Sequence, residues 1–241
     1  MTPEEWAAFL EVHNDLPREG PGAPEDVLWA AQQLGLSGPV EIFDAGCGPG
    51  ADTVTLAETL PEARIRAVDT TETFVAQAQA RVARFGDRVR VELASMADAD
   101  GPYDLIWCAG ALYFLGVTEG LTLWRDALKP GGHVVFSEPV TLGPLSAEAA
   151  AFWEEYPQIT DLAGIEARVN AAGYRVLRHR TIVGAPWQTY YDPIVERMEH
   201  LRATATDPMV LAAVEENQTE VDRWRAAQDE IAYALLIVAP E

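Results

Sequence analysis

Lysine is nearly missing from this 241-residue chain: Lys129 is the only one, and the formal net charge is −21. Such a surface repels phosphate backbones, so nucleic acid is not an expected partner; the plainest role of the acidity is solubility. Cysteine is also scarce. Cys47 and Cys108 alone give no disulfide framework, which fits a reducing, cytoplasmic setting. No apolar run is long enough to span a membrane, and no membrane partner is expected. The first residues, Met1-Thr2-Pro3-Glu4-Glu5-Trp6, are acidic where a signal peptide would be basic. Repeats, low-complexity segments and any His/Cys/Asp spacing of a metal site are all lacking, so no metal is expected.

What is present begins with a hydrophobic fraction of 49%, enough for one large core. Trp6, Phe9 and Leu10 lie at helical spacing within 4–10, and Pro24 opens a second helix that Gly35 closes. Between them Leu16-Pro17-Arg18-Glu19-Gly20-Pro21-Gly22 reads as an ordered loop. Strands are then predicted at 40–44, 64–68, 89–93, 103–108 and 132–138, with helices at 51–60, 72–85 and 118–127. This alternation belongs to a parallel sheet covered on both faces. Beyond Pro139 helices are predicted at 146–156 and 161–172, a strand from Tyr174 to Ile182, and an aromatic loop over 184–193. Two or three helices fill 194–229, and Ile231 to Ala239 closes the chain as a strand. The expected organisation is one domain over 1–241. Residues 1–39 form N-terminal helices and a loop, 40–139 a ligand-binding core, 140–230 a cap, and 231–241 the last strand.

Four local patterns carry chemistry. Asp44 ends the first strand and leads into Gly46, Gly48 and Gly50, a bare turn that lets a ligand approach the backbone. The Gly-x-Gly-x-Gly spacing differs from the Gly-x-Gly-x-x-Gly that cradles a pyrophosphate. Asp69 ends the second strand, where a carboxylate can accept both ribose hydroxyls. Ser95 and Met96 follow the third strand and can flank an adenine ring. Leu128-Lys129-Pro130-Gly131-Gly132 reads as a helix stop and tight turn that launches the fifth strand.

In register, these four patterns resemble the class I S-adenosylmethionine-dependent methyltransferases, over about residues 40–139 and the final strands. The resemblance implies a Rossmann-like α/β fold: a seven-stranded, mostly parallel sheet with an antiparallel last strand, helices on both faces and a helical cap insertion. It implies S-adenosyl-L-methionine as cofactor, with Asp44, Gly46, Gly48 and Gly50 at the methionine end. Asp69 would hold the ribose beside Thr70, Ser95 and Met96 the adenine, and Ala109 and Gly110 would face the cofactor. Family members often carry an acid directly after the Ser-Met pair; here Ala97 intervenes before Asp98. A narrower resemblance, through 16–22, 106–113, 152–157 and the Trp187/Tyr191-Asp192-Pro193 segment, is to small bacterial methyltransferases related to the ubiquinone/menaquinone-biosynthesis group. It implies that Arg18 pairs with the methionine carboxylate and that Tyr113 faces the acceptor.

Simpler readings stand beside these. Arg18 can be a surface ion pair, Tyr113 core packing, and Glu138, at the end of the fifth strand, a helix cap rather than an acid–base group. Trp153, Tyr156, Trp187, Tyr190 and Tyr191 can be core residues or can line an acceptor pocket in the cap. His13, His179 and His200 have no motif around them, and His133 starts the fifth strand far from the site. Cys47 and Cys108 end neighbouring strands, as small buried residues or as a redox pair.

The expected reaction is methyl transfer to a small molecule by in-line displacement, in a closed, dry pocket, with Tyr113 and Glu138 as the candidates for deprotonating the acceptor. An acidic, aromatic cap suits a cationic or amphipathic acceptor. Methylation of a protein or RNA, a non-catalytic cofactor-binding role and an NAD dehydrogenase remain alternatives. The N-terminal helix and the helical insertion have the means to support a homodimer.

Overall fold

A computed structural model describes residues 1–241. Seven strands form a single sheet: β1 (Glu41–Ala45), β2 (Arg64–Asp69), β3 (Val89–Leu93), β4 (Tyr103–Ala109), β5 (Leu128–Thr141), β6 (Tyr174–Ile182) and β7 (Ile231–Pro240). Their order is β3-β2-β1-β4-β5-β7-β6, with parallel pairing up to β5 and β7 running antiparallel between β5 and β6. The expected seven-stranded fold with an antiparallel last strand is therefore what forms.

Period-two alternation in the central strands feeds both faces. Ile42, Leu105, Trp107 and Val135 pack on one side. Phe43, Ile106, Cys108, Val134 and Phe136 pack on the other. The first face is covered by helices including α3 (Ala51–Thr59), α4 (Glu72–Val82), α8 (Ala185–Thr204) and α9 (Pro208–Ala226). The second is covered by α5 (Val117–Trp124) and α7 (Leu162–Ala171). At the N-terminus, Thr2 and Glu5 cap α1 (Pro3–Val12) reciprocally, while α2 (Pro24–Leu34) starts on Pro24 and stops at left-handed Gly35. Strand order reverses between β1 and β4, so the turns leaving these two strands part and open a crevice at their carboxyl ends.

Three local expectations need correction. Residues 184–193 are not an aromatic loop but the first half of α8, which continues through Pro193. Trp187, Tyr191, Ile194, Met198 and Leu201 lie on one buried stripe, and that burial outweighs the hydrogen bond lost at proline. The turn at 129–132 does not precede β5 but is a bulge within it. Leu128 pairs with Tyr103 and His133 with Leu105, so the intervening residues bow out opposite Asp104. Lys129 closes that bulge on Asp104 at 2.7 Å, at the end of the sheet away from the crevice. The helix expected at 146–156 is shorter, α6 (Ala147–Phe152), capped by Ser146.

Phe136 is fully buried in the second face. Phe136→Ala should lower unfolding free energy by about 3–5 kcal/mol, read as a lower urea midpoint at unchanged slope.

Candidate functional site

The crevice is built around Gly46. Its backbone is left-handed (φ +76°), and a Cβ there would sit 2.7 Å from the Cβ of Ala111, in the turn after β4. Any side chain would therefore close the gap between the two turns. Gly50 has a different task, because its missing Cβ lets α3 pack against Ala78 of α4.

Asp69 is held at both oxygens. Oδ2 accepts the Gly48 N–H at 2.9 Å and Oδ1 the Thr71 N–H at 2.8 Å. This fixes the carboxylate at the rim, with lone pairs left for further donors, and exposed Thr70 lies beside it. Asp44 is buried, accepts the Thr53 hydroxyl at 2.5 Å, and is pushed up to about 7 by burial, against that hydrogen bond. Met96 is positioned by its own carbonyl, which accepts the Trp124 indole N–H at 2.7 Å, while Ser95 Oγ accepts the Ala97 N–H. Asp98 is exposed. The β4 turn is anchored by the Gly110 N–H, which donates to the buried Ser137 hydroxyl at 2.8 Å.

The 13–23 segment lies over the glycine turn as a strap. Arg81 donates to the carbonyls of Leu16 and Pro49, each at 2.8 Å, tying strap and turn together. Arg18 reaches Asp52 of α3 at 3.0 Å and Gly20 O at 2.6 Å, and Asp52 also accepts the Trp107 indole N–H. Arg18 thus sits by the crevice but is already paired. Sequence reasoning missed His13 and Glu19. Buried His13 bridges Glu19 Oε2 (2.6 Å) and Asn217 Oδ1 of α9 (2.9 Å), and the Glu19 side chain lies against Gly48. The other Glu19 oxygen is buried without a partner, and burial raises its carboxyl despite His13. Only Glu19, within the Arg-Glu-Gly-Pro-Gly run, offered any local signal.

A second cluster lies beside the β4 turn. Glu138 is 1% exposed, and its Oε1 accepts the Tyr156 hydroxyl and faces Arg168 of α7 at 3.7 Å. Burial lifts its carboxyl to about 7, opposed by Tyr156 and Arg168. Tyr113 stands edge-on to Tyr156, with centroids 5.7 Å apart, and is pushed up to about 12 by burial and then by the charge of Glu138. Tyr233 of β7, which no sequence pattern marked, joins this group between Trp153 (6.1 Å) and Trp187 (5.2 Å).

Of the other candidate aromatics, Trp187 and Tyr191 are interior and satisfied. They donate to Ile182 O and to Glu220 at 3.1 and 2.7 Å. Tyr190 is half-buried and Trp153 keeps an unpartnered indole N–H. Cys47 and Cys108 are free thiols, both pushed up by burial. No helix is long and apolar enough to cross a membrane.

The sheet order, the glycine turn after β1 and the acid ending β2 together define a Rossmann-like methyltransferase domain. Residues 42–132 match the family model described as a methyltransferase domain. The chain is similar to the trans-aconitate 2-methyltransferase of Streptomyces avermitilis, 37% identical over 42% of this chain and 39% of that one. It is also similar to the namesake enzyme of Methylobacterium nodulans, 28% identical over 80% of this chain and 78% of the relative. The chain thus matches well under two thirds of the Streptomyces avermitilis protein.

A Geobacter sulfurreducens S-adenosylmethionine-dependent methyltransferase, solved with S-adenosyl-L-homocysteine, superposes with TM-score 0.85. Its sequence identity is 21%, over 98% of both chains. A Thiobacillus denitrificans counterpart, also solved with S-adenosyl-L-homocysteine, gives 0.84 at 21% identity over 100% and 99%. Residues 42–132 thus carry a methyltransferase domain, on a fold shared with S-adenosylmethionine-dependent methyltransferases.

The raised Glu138 carboxyl has a measurable consequence. The folded chain keeps a proton there that the unfolded chain releases near 4.5, so this stabilisation is full below that value. It is lost as pH rises to about 7. Glu138→Gln should therefore gain on the parent by on the order of 1–3 kcal/mol between pH 4.5 and 8 in urea unfolding. A difference that does not change with pH would refute it.

Proposed function

We propose that this protein transfers a methyl group from S-adenosyl-L-methionine to a small-molecule acceptor. The observation that carries the reading is the bare backbone at Gly46 and Gly48, with Asp69 pre-oriented on the Gly48 N–H and the Tyr113–Glu138 cluster beside the β4 turn. The residues present fit the cofactor. Asp69 has lone pairs for ribose hydroxyls, and the buried free oxygen of Glu19 beside Gly48 offers an acceptor to a ligand N–H or O–H.

When bound, the cofactor supplies an electrophilic methyl group on a sulfonium. Asp44 and the turn at Gly46, Gly48 and Gly50 would border the methionine end, with Arg18 exchanging Asp52 for its carboxylate. Ser95 and Met96 would hold the adenine, and Ala109 and Gly110 the wall toward the acceptor. Tyr113 and Glu138 would orient the acceptor and Glu138 would receive its proton, with Trp153, Tyr156 and Tyr190 excluding water. The raised Tyr113 hydroxyl stays protonated and would serve as a hydrogen-bond donor, not as a base. Trp187 and Tyr191 would back this wall from the core.

The curated relatives' names point to trans-aconitate, a tricarboxylate. Its recognition calls for cations, yet Arg18 is assigned to the cofactor's carboxylate and Arg168 faces Glu138. The acceptor of this chain is accordingly read as a different small molecule.

Calorimetry with S-adenosylmethionine and S-adenosylhomocysteine should show binding of both, weakened at least tenfold in Gly46→Ala and Asp69→Ala. Labelled methyl groups should enter the small-molecule fraction of a cell extract; label in protein or RNA would overturn the acceptor class. Tyr113→Phe and Glu138→Gln should each lower kcat about 10- to 100-fold, and unchanged rates would remove both from the mechanism.

A further inference from the structure

The oxygens of Glu138 are unequal. Oε1 is taken by Tyr156 and faces Arg168, whereas Oε2 is buried with no hydrogen-bond partner. A buried carboxylate oxygen left unpaired is costly, so its persistence beside a candidate acceptor pocket calls for a donor from the ligand. From this we propose, building on the methyl-transfer reading above, that the acceptor is a small primary or secondary amine whose N–H donates to Glu138 Oε2 among the rings of Tyr113, Tyr156 and Tyr233.

The surroundings select against other acceptors. Burial pushes the hydroxyls of Tyr113, Tyr190 and Tyr233 up, and behind it Tyr113 and Tyr233 feel the charges of Glu138 and Glu220, and Tyr190 those of Glu220 and Glu19. Another negative charge is unwelcome there, which disfavours carboxylates, phosphates and phenolates. The cation beside Glu138 is Arg168, which also donates to Gln158 O at 2.5 Å. Lys129 is spent on Asp104 at the opposite end of the sheet. Aromatic faces and carboxylates together favour a group that carries or develops positive charge. An alcohol or phenol would have to lose its proton in a buried setting that, together with the charge of Glu138, already pushes Tyr113 up to about 12. A neutral amine keeps a lone pair for attack and an N–H for Glu138.

The step balances. The amine's ammonium form first yields a proton to solvent, and the nitrogen lone pair forms the N–C bond to the methyl carbon. The C–S bond breaks with its electron pair staying on sulfur, leaving a neutral thioether. The N-methylammonium formed passes a proton to Glu138 Oε2, which returns it to solvent.

The test titrates the full chain, saturated with S-adenosylhomocysteine, with benzylamine, N-methylbenzylamine, p-cresol and tricarballylate by calorimetry. Each compound is then offered with labelled S-adenosylmethionine. Saturable binding and N-methyl product with the amines are expected. Glu138→Gln should weaken amine binding at least tenfold, and Glu138→Asp, which keeps the charge, should weaken it less. S-adenosylhomocysteine affinity reports the fold of each variant. Cofactor binding without amine binding overturns this inference alone. So does transfer to the cresol or tricarballylate instead, or amine binding indifferent to Glu138→Gln. Failure to bind S-adenosylhomocysteine at all overturns the cofactor reading with it.

Discussion

The near-contact of the Gly46 backbone with Ala111 is the constraint on which the site depends. The chain must turn sharply after β1 and again after β4, and the turns must part to leave a crevice where strand order reverses. With a Cβ at Gly46 this space would close at 2.7 Å from Ala111. The rest is arranged around it. Asp69 binds the Gly48 N–H, Trp124 holds the Met96 carbonyl, and Ser137 holds the Gly110 N–H. Each of these bonds reduces the reorganisation a bound ligand would require.

Electrostatics follows the same economy. In a chain with net charge −21, several carboxylates lie inside rather than on the surface. Asp44, Glu19 and Glu138 are raised by burial, and two of them keep an oxygen with no partner. The arginines near the site are mostly engaged. Arg18 meets Asp52, Arg81 meets strap and turn carbonyls, and Arg168 meets Glu138. Little unpaired positive charge is left beside the site.

What could be read in advance was local. The glycine turn, the acid ending β2, the Ser-Met pair and the strand–helix rhythm each depend on a few consecutive residues with one dominant steric or hydrogen-bonding demand. The misreadings share a cause. Pro186, Trp187, Tyr190, Tyr191 and Pro193 resemble loop composition, yet they sit in α8 because Trp187, Tyr191 and Ile194 bury one stripe against distant elements. The Lys-Pro-Gly-Gly run reads as a turn, and only its pairing across from Asp104 makes it a bulge. His13 had no motif because its partners, Glu19 and Asn217, lie on the strap and on α9.

From its sequence alone this protein was determined to be a strand–turn–helix machine with bare backbone at Gly46, Gly48 and Gly50 and a carboxylate at Asp69. Sterics and hydrogen-bond chemistry act over only a few residues there. Tertiary structure alone decided which side chains face that backbone. β7 brings Tyr233 beside Pro139, α7 brings Arg168 to Glu138, and the strap lays Glu19 on Gly48. These meetings join segments far apart in the chain, and packing, not local preference, sets which oxygen of Glu138 is left free.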